Sequence, residues 1–561
     1  MQTQTLFIQG GQAVHLSDQD FIAQGGEGCL YMQGAWVYKI YTNPQQMPPA
    51  AKIQELRVLS RPNLIVPDAL LLDTQQQPVG IRMAHVPDSV ALPRLFTNDY
   101  RHAQRIDNAK ILCLLQIMQE SIAFIHAQGC LLVDGNEMNY LLDKQHTQVY
   151  FIDTDSYQTP SFPATAIMPS IRDYHTPGFS TLSDWFAFAI VACQLLIGIH
   201  PYKGKHPQFN KQDLAARMRA NMSIFNPQVS LPAAARDFSL IPPAWRDWFE
   251  RLFEQGERQP PPPLGTAHQV AQPAAPVLQS SRGLQIQLLR TFNAPIHGCQ
   301  SYQGHITVFA GQQAHLEDGT QIQLPDIYQI FHAELSMQPI LASLVNQQLQ
   351  LHNLHSKTDL KLPLKAEKLL LADNHLFCVN QDKVTGIKLH ELKQTCVAAP
   401  GASWHILPKA HQVLNGILYQ NVLGEPYVLV PYQAQACALL PVPELQGYQV
   451  LDGKYEAGVA MLLGYRQGRY ALLCLRFSEN FQHYQADIMQ DVEQAQVNFV
   501  ALDNGVVVQL LQEGELQVLH RSQAGRRVVK DAAIRSDMRL CKNGTQVLAY
   551  QGERLYALRL S

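Results

Sequence analysis

Three side chains in one short stretch have the types and spacing for chemistry on a phosphate. Asp134 is followed five residues later by Asn139, and Asp153 comes fourteen residues after that. Apolar runs, Tyr140 to Leu142 and Val149 to Ile152, lie on either side of the connecting turn. Phosphoryl transfer needs such a set in one place. One carboxylate accepts a hydroxyl proton and orients the nucleophile, while an amide and a second carboxylate hold Mg²⁺ ions on the phosphates. An acid and an amide at this spacing are common alone; the flanking strands and the second acid make the combination specific.

Several elements must position this set. Residues 108–128 carry apolar side chains at helical spacing (Ile111, Leu114, Leu115, Met118, Ile122, Ile125) and lead directly into it. Residues 13–41 read as strands joined by tight turns, with Gly25-Gly26-Glu27-Gly28 in the first turn and Gln33-Gly34 in the second. Glycines let backbone N–H groups approach a phosphate with no Cβ in the way; a plain tight turn is the alternative. Lys39 lies inside the returning apolar strand, where an ammonium is costly unless it meets an anion. Residues 48–61 read as a short helix bearing Glu55. Ala69 to Asp73 and Pro78 to Met83 form a second hairpin, and helices are expected over Leu182 to Ile190 and Trp245 to Gly256.

Taken in order, residues 14–262 resemble a protein kinase domain. Asp134 and Asn139 match H-R-D-x-x-x-x-N, and Asp153 matches the acid of D-F-G. Pro62-Asn63-Leu64-Ile65-Val66 resembles H-P-N-I-V, and His200-Pro201-Tyr202 resembles the end of G-x-x-P-[FY]. The resemblance implies a bilobal α+β domain over residues 1–262 that binds ATP with Mg²⁺. Asp134 is then the base, Lys39 the phosphate clamp, and Asn139 and Asp153 the metal ligands. Gly25, Gly26 and Gly28 cover the nucleotide. Met83 and His85 belong to the adenine site, with Ala84-His85-Val86 as the hinge. Glu55 is the partner of Lys39 or else an ordinary surface residue, and Asp184 is a buried brace for the catalytic loop. The words Val-Asp-Gly-Asn-Glu-Met-Asn and Asp-Thr-Asp-Ser-Tyr-Gln look closest to a bacterial subgroup grouped with von Willebrand A proteins and PP2C-type phosphatases.

The chain departs from the kinase pattern in four places. Leu132 and Val133 stand where His and Arg belong, so a phosphate on the activation segment loses its usual partner. Asn136 replaces the lysine two residues after the catalytic acid. Thr154-Asp155 replaces Phe-Gly; Asp155 reads as a turn or cap residue, with a second metal ligand as the alternative. Gly178 replaces the Glu of A-P-E, which leaves Arg258 without an ion-pair partner.

At 561 residues the chain is too long for one core. A net charge of −3 argues against a nucleic-acid partner. The ten cysteines form no C-x-x-C pair and read as reduced thiols of a cytoplasmic protein. Neither a signal segment nor a membrane span is expected; the apolar run Trp185 to Ile199 is short for one.

Residues 259–282 are rich in Pro, Ala, Gln and Ser, and 263–283 reads as a semi-rigid, exposed linker. From 284 to 561, short alternating strands separated by Gly, Asn and Asp turns take over. A unit of three strands recurs seven times, with starts near 303, 339, 367, 403, 447, 496 and 537. This predicts an all-β domain, a seven-bladed β-propeller, with Leu284 to Leu289 as the outer fourth strand of the last blade. A pair of β-sandwiches is the alternative.

The expected activity is an ATP- and Mg²⁺-dependent Ser/Thr-type protein kinase whose propeller recruits a protein substrate or partner. A von Willebrand A protein and a PP2C-type phosphatase are the partners implied by the subgroup. The alternatives are a pseudokinase scaffold and a kinase-fold enzyme acting on a small molecule.

Overall fold

The computed structural model describes residues 3–210, 213–264, 284–392, 396–433, 435–492, 497–511, 513–520, 523–531 and 533–560. The chain forms two compact units. One is Met1–Gln272 with Tyr465–Ala471 and Gln490–Gln496; the other is Pro273–Gly464 with Leu472–Met489 and Val497–Ser561.

The first unit begins with strands β1 (Thr3–Ile8), β2 (Ala13–Ser17), β3 (Phe21–Gln24), β4 (Gly28–Gln33) and β5 (Trp36–Tyr41). Helix α1 (Ala50–Leu56) and strands β6 (Pro67–Leu72) and β7 (Pro78–Ala84) follow. The seven strands make one sheet in the order β2-β1-β6-β7-β5-β4-β3. The two-residue period of β5 divides its side chains between two cores. Val37 and Tyr41 pack with Ile53, Ile65, Leu70 and Ile81, whereas Tyr38 joins Leu6, Ile8, Val14 and Leu16 on the opposite face. Strand β1, not expected from the sequence pattern, pairs with β6 at Phe7↔Leu72 and Ile8↔Leu71.

Helices α2 (Asn98–Ala103), α3 (Asn108–Ala127), α4 (Thr181–Ile197), α5 (Leu214–Arg219) and α6 (Pro243–Phe253) make up the helical part. Asp107 caps α3 by accepting the Lys110 N–H. Helix α3 is long and apolar enough to cross a membrane by length and composition. Its apolar side is nevertheless buried within the fold, with Ile111, Leu114, Leu115, Met118 and Ile125 fully enclosed. Ser180 and Ser183 form a capping box at the start of α4, and Gly198 ends the helix at φ +86°, a conformation that favours glycine. Every residue of α4 from Ser183 to Ile197 is buried. A short pair, β8 (Val90–Ala91) and β9 (Tyr140–Leu142), is completed by β10 (Val149–Phe151).

The start of the proline run is not an exposed spacer. Indole N–H groups of Trp245 and Trp248 donate to the carbonyls of Pro262 and Gln259 at 3.0 and 3.1 Å, and Gln119 donates to Pro261 and Pro262. Proline lacks its own N–H, so its carbonyl is the group left for such anchoring. The rest of the expected linker, from 265 to 283, lies outside the described residues.

The second unit is all-β. Its described strands form seven four-stranded antiparallel sheets. Six use consecutive strands, within 296–323, 328–360, 368–405, 411–441, 449–492 and 499–529. Each of these six sheets therefore holds one strand more than the three-strand unit expected from sequence. The seventh sheet takes three strands from 539–560 and its fourth from Leu284–Thr291, which pairs antiparallel with Arg554–Leu560. Phe292, Ile296 and Val308 share an apolar cluster with Leu548, Tyr550 and Leu555, so the first and last of these sheets pack together. The arrangement is consistent with a propeller.

Candidate active site

Asp134, Asn139 and Asp153 sit on loops that the strand pair β9–β10 draws together. Asn136 caps a single turn, Glu137–Asn139, by accepting the Met138 N–H. That turn aims Asn139 back at the loop, where its Nδ2 donates to the Asp134 carbonyl at 2.8 Å. The Ile152 N–H donates to the Asn139 carbonyl at 3.0 Å, tying the amide to the segment that carries Asp153. Leu131 and Gln158 exchange two backbone hydrogen bonds of 3.0 Å, which fixes the start of the loop against the segment after Asp153.

Asp184 holds the start of the loop that carries Asp134. Its carboxylate accepts the Leu132 N–H at 2.8 Å and the Val133 N–H at 2.9 Å, and His126 Nε2 lies 2.9 Å away. Val133 has φ +61°, which is costly for a β-branched residue and persists only where neighbours impose it. Its side chain is 2% exposed, so the position of the usual arginine has become part of the core.

Lys39 is the hub of the site. It stands on β5 between Ile81 of β7 and Leu30 of β4, with its side chain 8% exposed. Nζ contacts three carboxylates, Asp155 at 2.8 Å, Glu27 at 2.8 Å and Asp153 at 2.9 Å. Burial opposes the charge on this ammonium, but Asp155 and Asp153, with Tyr41 and Glu27, outweigh it and hold the lysine well above its ordinary value. The Tyr41 hydroxyl donates a short hydrogen bond to the same Asp155 carboxylate. Burial raises the Asp155 carboxyl, yet the charge and hydrogen bond of Lys39 and the hydrogen bond of Tyr41 bring it below the usual carboxylate value. Asp153 moves the other way, raised by burial and by the charge of Asp155 against the pull of Lys39. Its backbone is left-handed, at φ +58°.

Glu55 does not reach this hub. Helix α1 has only seven residues, and its Glu55 carboxylate accepts the Ser161 N–H at 3.2 Å. Asp155, expected as a turn or cap residue, sits in the one-turn helix Thr154–Ser156 but turns its side chain inward to Lys39. Sequence reading missed Glu27 and Tyr41 as well. Tyr41 carried a signal, since residues two apart on a strand share a face.

The glycine turn lies between β3 and β4, closed by the Gly25 N–H on the Gly28 carbonyl at 2.9 Å. Gly28 has a packing reason of its own, because a Cβ there would lie 2.1 Å from the Ile40 carbonyl oxygen. Met83 is buried in β7, opposite Val37. The His85 N–H, expected to face adenine, donates instead to the Ala35 carbonyl at 2.9 Å. The ladder between β5 and β7 runs one residue past Trp36↔Ala84 and takes that donor.

Asp134 Oδ1 accepts the Met168 N–H at 2.9 Å. Burial raises its pKa, and the hydrogen bond from Met168 only partly offsets that. A raised carboxyl is suited to proton transfer. Arg258, expected to lack a partner, is paired with Asp173.

Glu27, Asp153 and Asp155 each offer an oxygen, all within 4.8 Å of one another, and Asp155 Oδ1 is buried with no hydrogen-bond partner among the described residues. The Lys39 ammonium already stands among these three carboxylates, so the cluster as it is arranged is occupied by an internal cation.

No protein-family model matches the chain, and no curated protein matches it. Among solved structures, the kinase PK-1 of Cydia pomonella granulovirus matches at TM-score 0.31 and 13% identity, over 42% of this chain and 88% of that one.

Proposed function

We propose that the first unit is an ATP- and Mg²⁺-dependent phosphotransferase acting on a Ser/Thr-type hydroxyl. The observation that carries this reading is the Lys39–Asp153 contact at 2.9 Å, which joins residues 114 apart in sequence. A strand lysine beside a metal-type aspartate, with Asn139 tied to the Asp134 loop, is the constellation that phosphoryl transfer uses. Asn139 and Asp153 would hold Mg²⁺, and Lys39 with the Gly25–Gly28 turn would hold phosphates. When bound there, Mg²⁺ would supply charge neutralisation at the phosphates. Asp134 orients the acceptor hydroxyl and takes its proton. Asn136 replaces the lysine that would contact the γ-phosphate, and Lys39 is a cation this site would bring to the nucleotide. The all-β unit would recruit a protein substrate or partner, for which a von Willebrand A protein and a PP2C-type phosphatase are candidates.

The test is transfer of label from γ-labelled ATP with Mg²⁺, comparing wild type with Asp134→Ala and Asp153→Ala. Label transfer that survives both substitutions would remove the assignment.

A second reading, a pseudokinase scaffold, has its own support. Asp134 already accepts a hydrogen bond from Met168, and three internal carboxylates satisfy Lys39 without a nucleotide. Nucleotide binding without any transfer would favour it.

A further inference from the structure

We propose that Asp155, braced by Tyr41, is the positioning residue for Lys39 and takes over the task of a helix glutamate; the proposal rests on the nucleotide-binding reading above. Lys39 and Tyr41 stand two apart on β5 and so point to the same face. Both reach the same oxygen, Asp155 Oδ2. Asp155 is brought there by a turn that is itself anchored. Thr154 Oγ1 donates to the Ile65 carbonyl at 2.8 Å, and the Ser156 N–H and hydroxyl both return to the Asp153 carbonyl.

Of the three carboxylates on Lys39, only Asp155 is buried. Its side chain is 4% exposed, against 34% for Asp153 and 51% for Glu27. Phosphates arriving from solvent can take the places of Glu27 and Asp153 at the ammonium, while Asp155 stays. The lysine anchor and the metal-type Asp153 then belong to one turn of chain. Placing one places the other, and no movement of α1 is needed to assemble them. Glu55, engaged with Ser161, has no part in it.

The experiment uses the full-length protein as wild type, Asp155→Asn, Tyr41→Phe and Glu55→Gln. Calorimetry measures binding of Mg²⁺-ATP and of adenosine. Mass spectrometry measures acetylation of Lys39 by an N-hydroxysuccinimide ester without nucleotide. Removing a group that orients a ligand-contacting side chain costs about 10- to 100-fold in affinity. Asp155→Asn should weaken Mg²⁺-ATP in that range and leave adenosine unchanged, because Lys39 meets only phosphates. It should also raise Lys39 acetylation several-fold, as the ammonium loses its buried counter-charge. Tyr41→Phe should shift both readouts the same way by less, and Glu55→Gln neither. Mg²⁺-ATP affinity lost in Glu55→Gln but kept in Asp155→Asn and Tyr41→Phe would overturn the proposal. So would equal losses for ATP and adenosine. Wild type that binds no Mg²⁺-ATP would end the nucleotide reading, and the acetylation readout would then decide the role of Asp155 alone. An Asp155→Asn protein that does not fold leaves the decision to Tyr41→Phe, which removes one hydroxyl.

Discussion

Arg258 grips Asp173 with two hydrogen bonds, Nε to Oδ2 at 2.6 Å and Nη2 to Oδ1 at 2.8 Å, with side chains 9% and 1% exposed. The guanidinium also donates to the Leu252 carbonyl at 3.0 Å and lies over the Phe186 ring, 4.5 Å from its centroid. It thus joins α4, the end of α6 and the segment before α4. Removing one side of a buried, doubly hydrogen-bonded pair leaves the other charge uncompensated, at a cost of about 3–5 kcal/mol. Asp173→Ala should therefore melt well below wild type in denaturant titrations of the full-length protein. An unchanged midpoint would show that water reaches Arg258.

The same pair sets a pH dependence. Burial raises the Asp173 carboxyl, but the hydrogen bonds from Arg258 and from the His175 N–H overcome this and leave it below the usual carboxylate value. A carboxyl depressed in the native state adds stability that is fully present above its unfolded pKa of about 3.9 and is lost as pH falls through the native value. Wild type should lose stability below about pH 4, in part through this group. Asp173→Asn should show a shallower acid limb, and equal limbs would contradict the assignment.

Asp184 supports a third prediction. It accepts two backbone N–H groups of a buried loop, one of them on the strained Val133. Each orphaned donor costs about 1–3 kcal/mol. Asp184→Ala should lower the melting temperature and release the loop that carries Asp134. Asp184→Asn keeps one acceptor oxygen and should fall between. Hydrogen exchange at Leu132 and Val133 reads this directly, and protection as strong as in wild type would refute it.

Much of the first unit was legible because its pattern is local. The period of α3, the glycine turn before Lys39 and the Asp134–Asn139 spacing each lie within one stretch. What stayed hidden depends on contacts across the fold. Gly178 in place of a glutamate read as a lost partner for Arg258, yet Asp173 supplies the carboxylate from five residues earlier. Asp155 read as a turn residue because its backbone does make a turn; only the folded sheet brings Lys39 and Tyr41 to it. His85 read as part of an adenine hinge, and the pairing of its N–H with Ala35 could not be seen without the strand register. In the second unit the inner strands were legible as apolar alternations. Apart from Leu284 to Leu289, which was expected as the outer strand of the last sheet, the outer strands were less so: Tyr484–Val492, for example, is mostly exposed or half-buried, so its alternation carries little apolar contrast.

A fourth prediction concerns the segment after Asp153. Val133 offers no charge to a phosphate, so activity should not depend on phosphorylation there. Of the hydroxyl residues in this segment, Tyr157, Thr159 and Ser170 are buried and out of a kinase's reach. The serines and threonines up to Thr176 that are not buried are Ser156, Ser161, Thr165 and Thr176. Replacing these four by alanine together should leave phosphotransfer to an external substrate within about twofold, the usual scale for surface changes. A loss of activity that an acidic residue restores at one of the four sites would count against it.

The last prediction tests how the second unit is held together. Leu284–Thr291 and Arg554–Leu560 lie at opposite ends of this unit in sequence but pair side by side, from Leu284↔Leu560 to Thr291↔Arg554, with a bulge after Leu288. The first residue of that strand, Leu284, is 0% exposed and packs in one cluster with Tyr556, Leu558, Val547 and Leu540. Its neighbour Gln285 is exposed. A buried leucine cut back to alanine costs about 2–5 kcal/mol, from lost transfer energy and the cavity left behind. Leu284→Ala should therefore lower the unfolding transition of the all-β unit, and Gln285→Ala should not. The chain has two units, so the transitions must be followed separately by calorimetry rather than fitted as one. Leu284 and Leu558 share a cluster, so the double alanine variant should depart from additivity by about 0.5–3 kcal/mol. Additive effects, or a Leu284→Ala transition at the wild-type temperature, would mean that this strand merely lies along the sheet edge and does not fasten it.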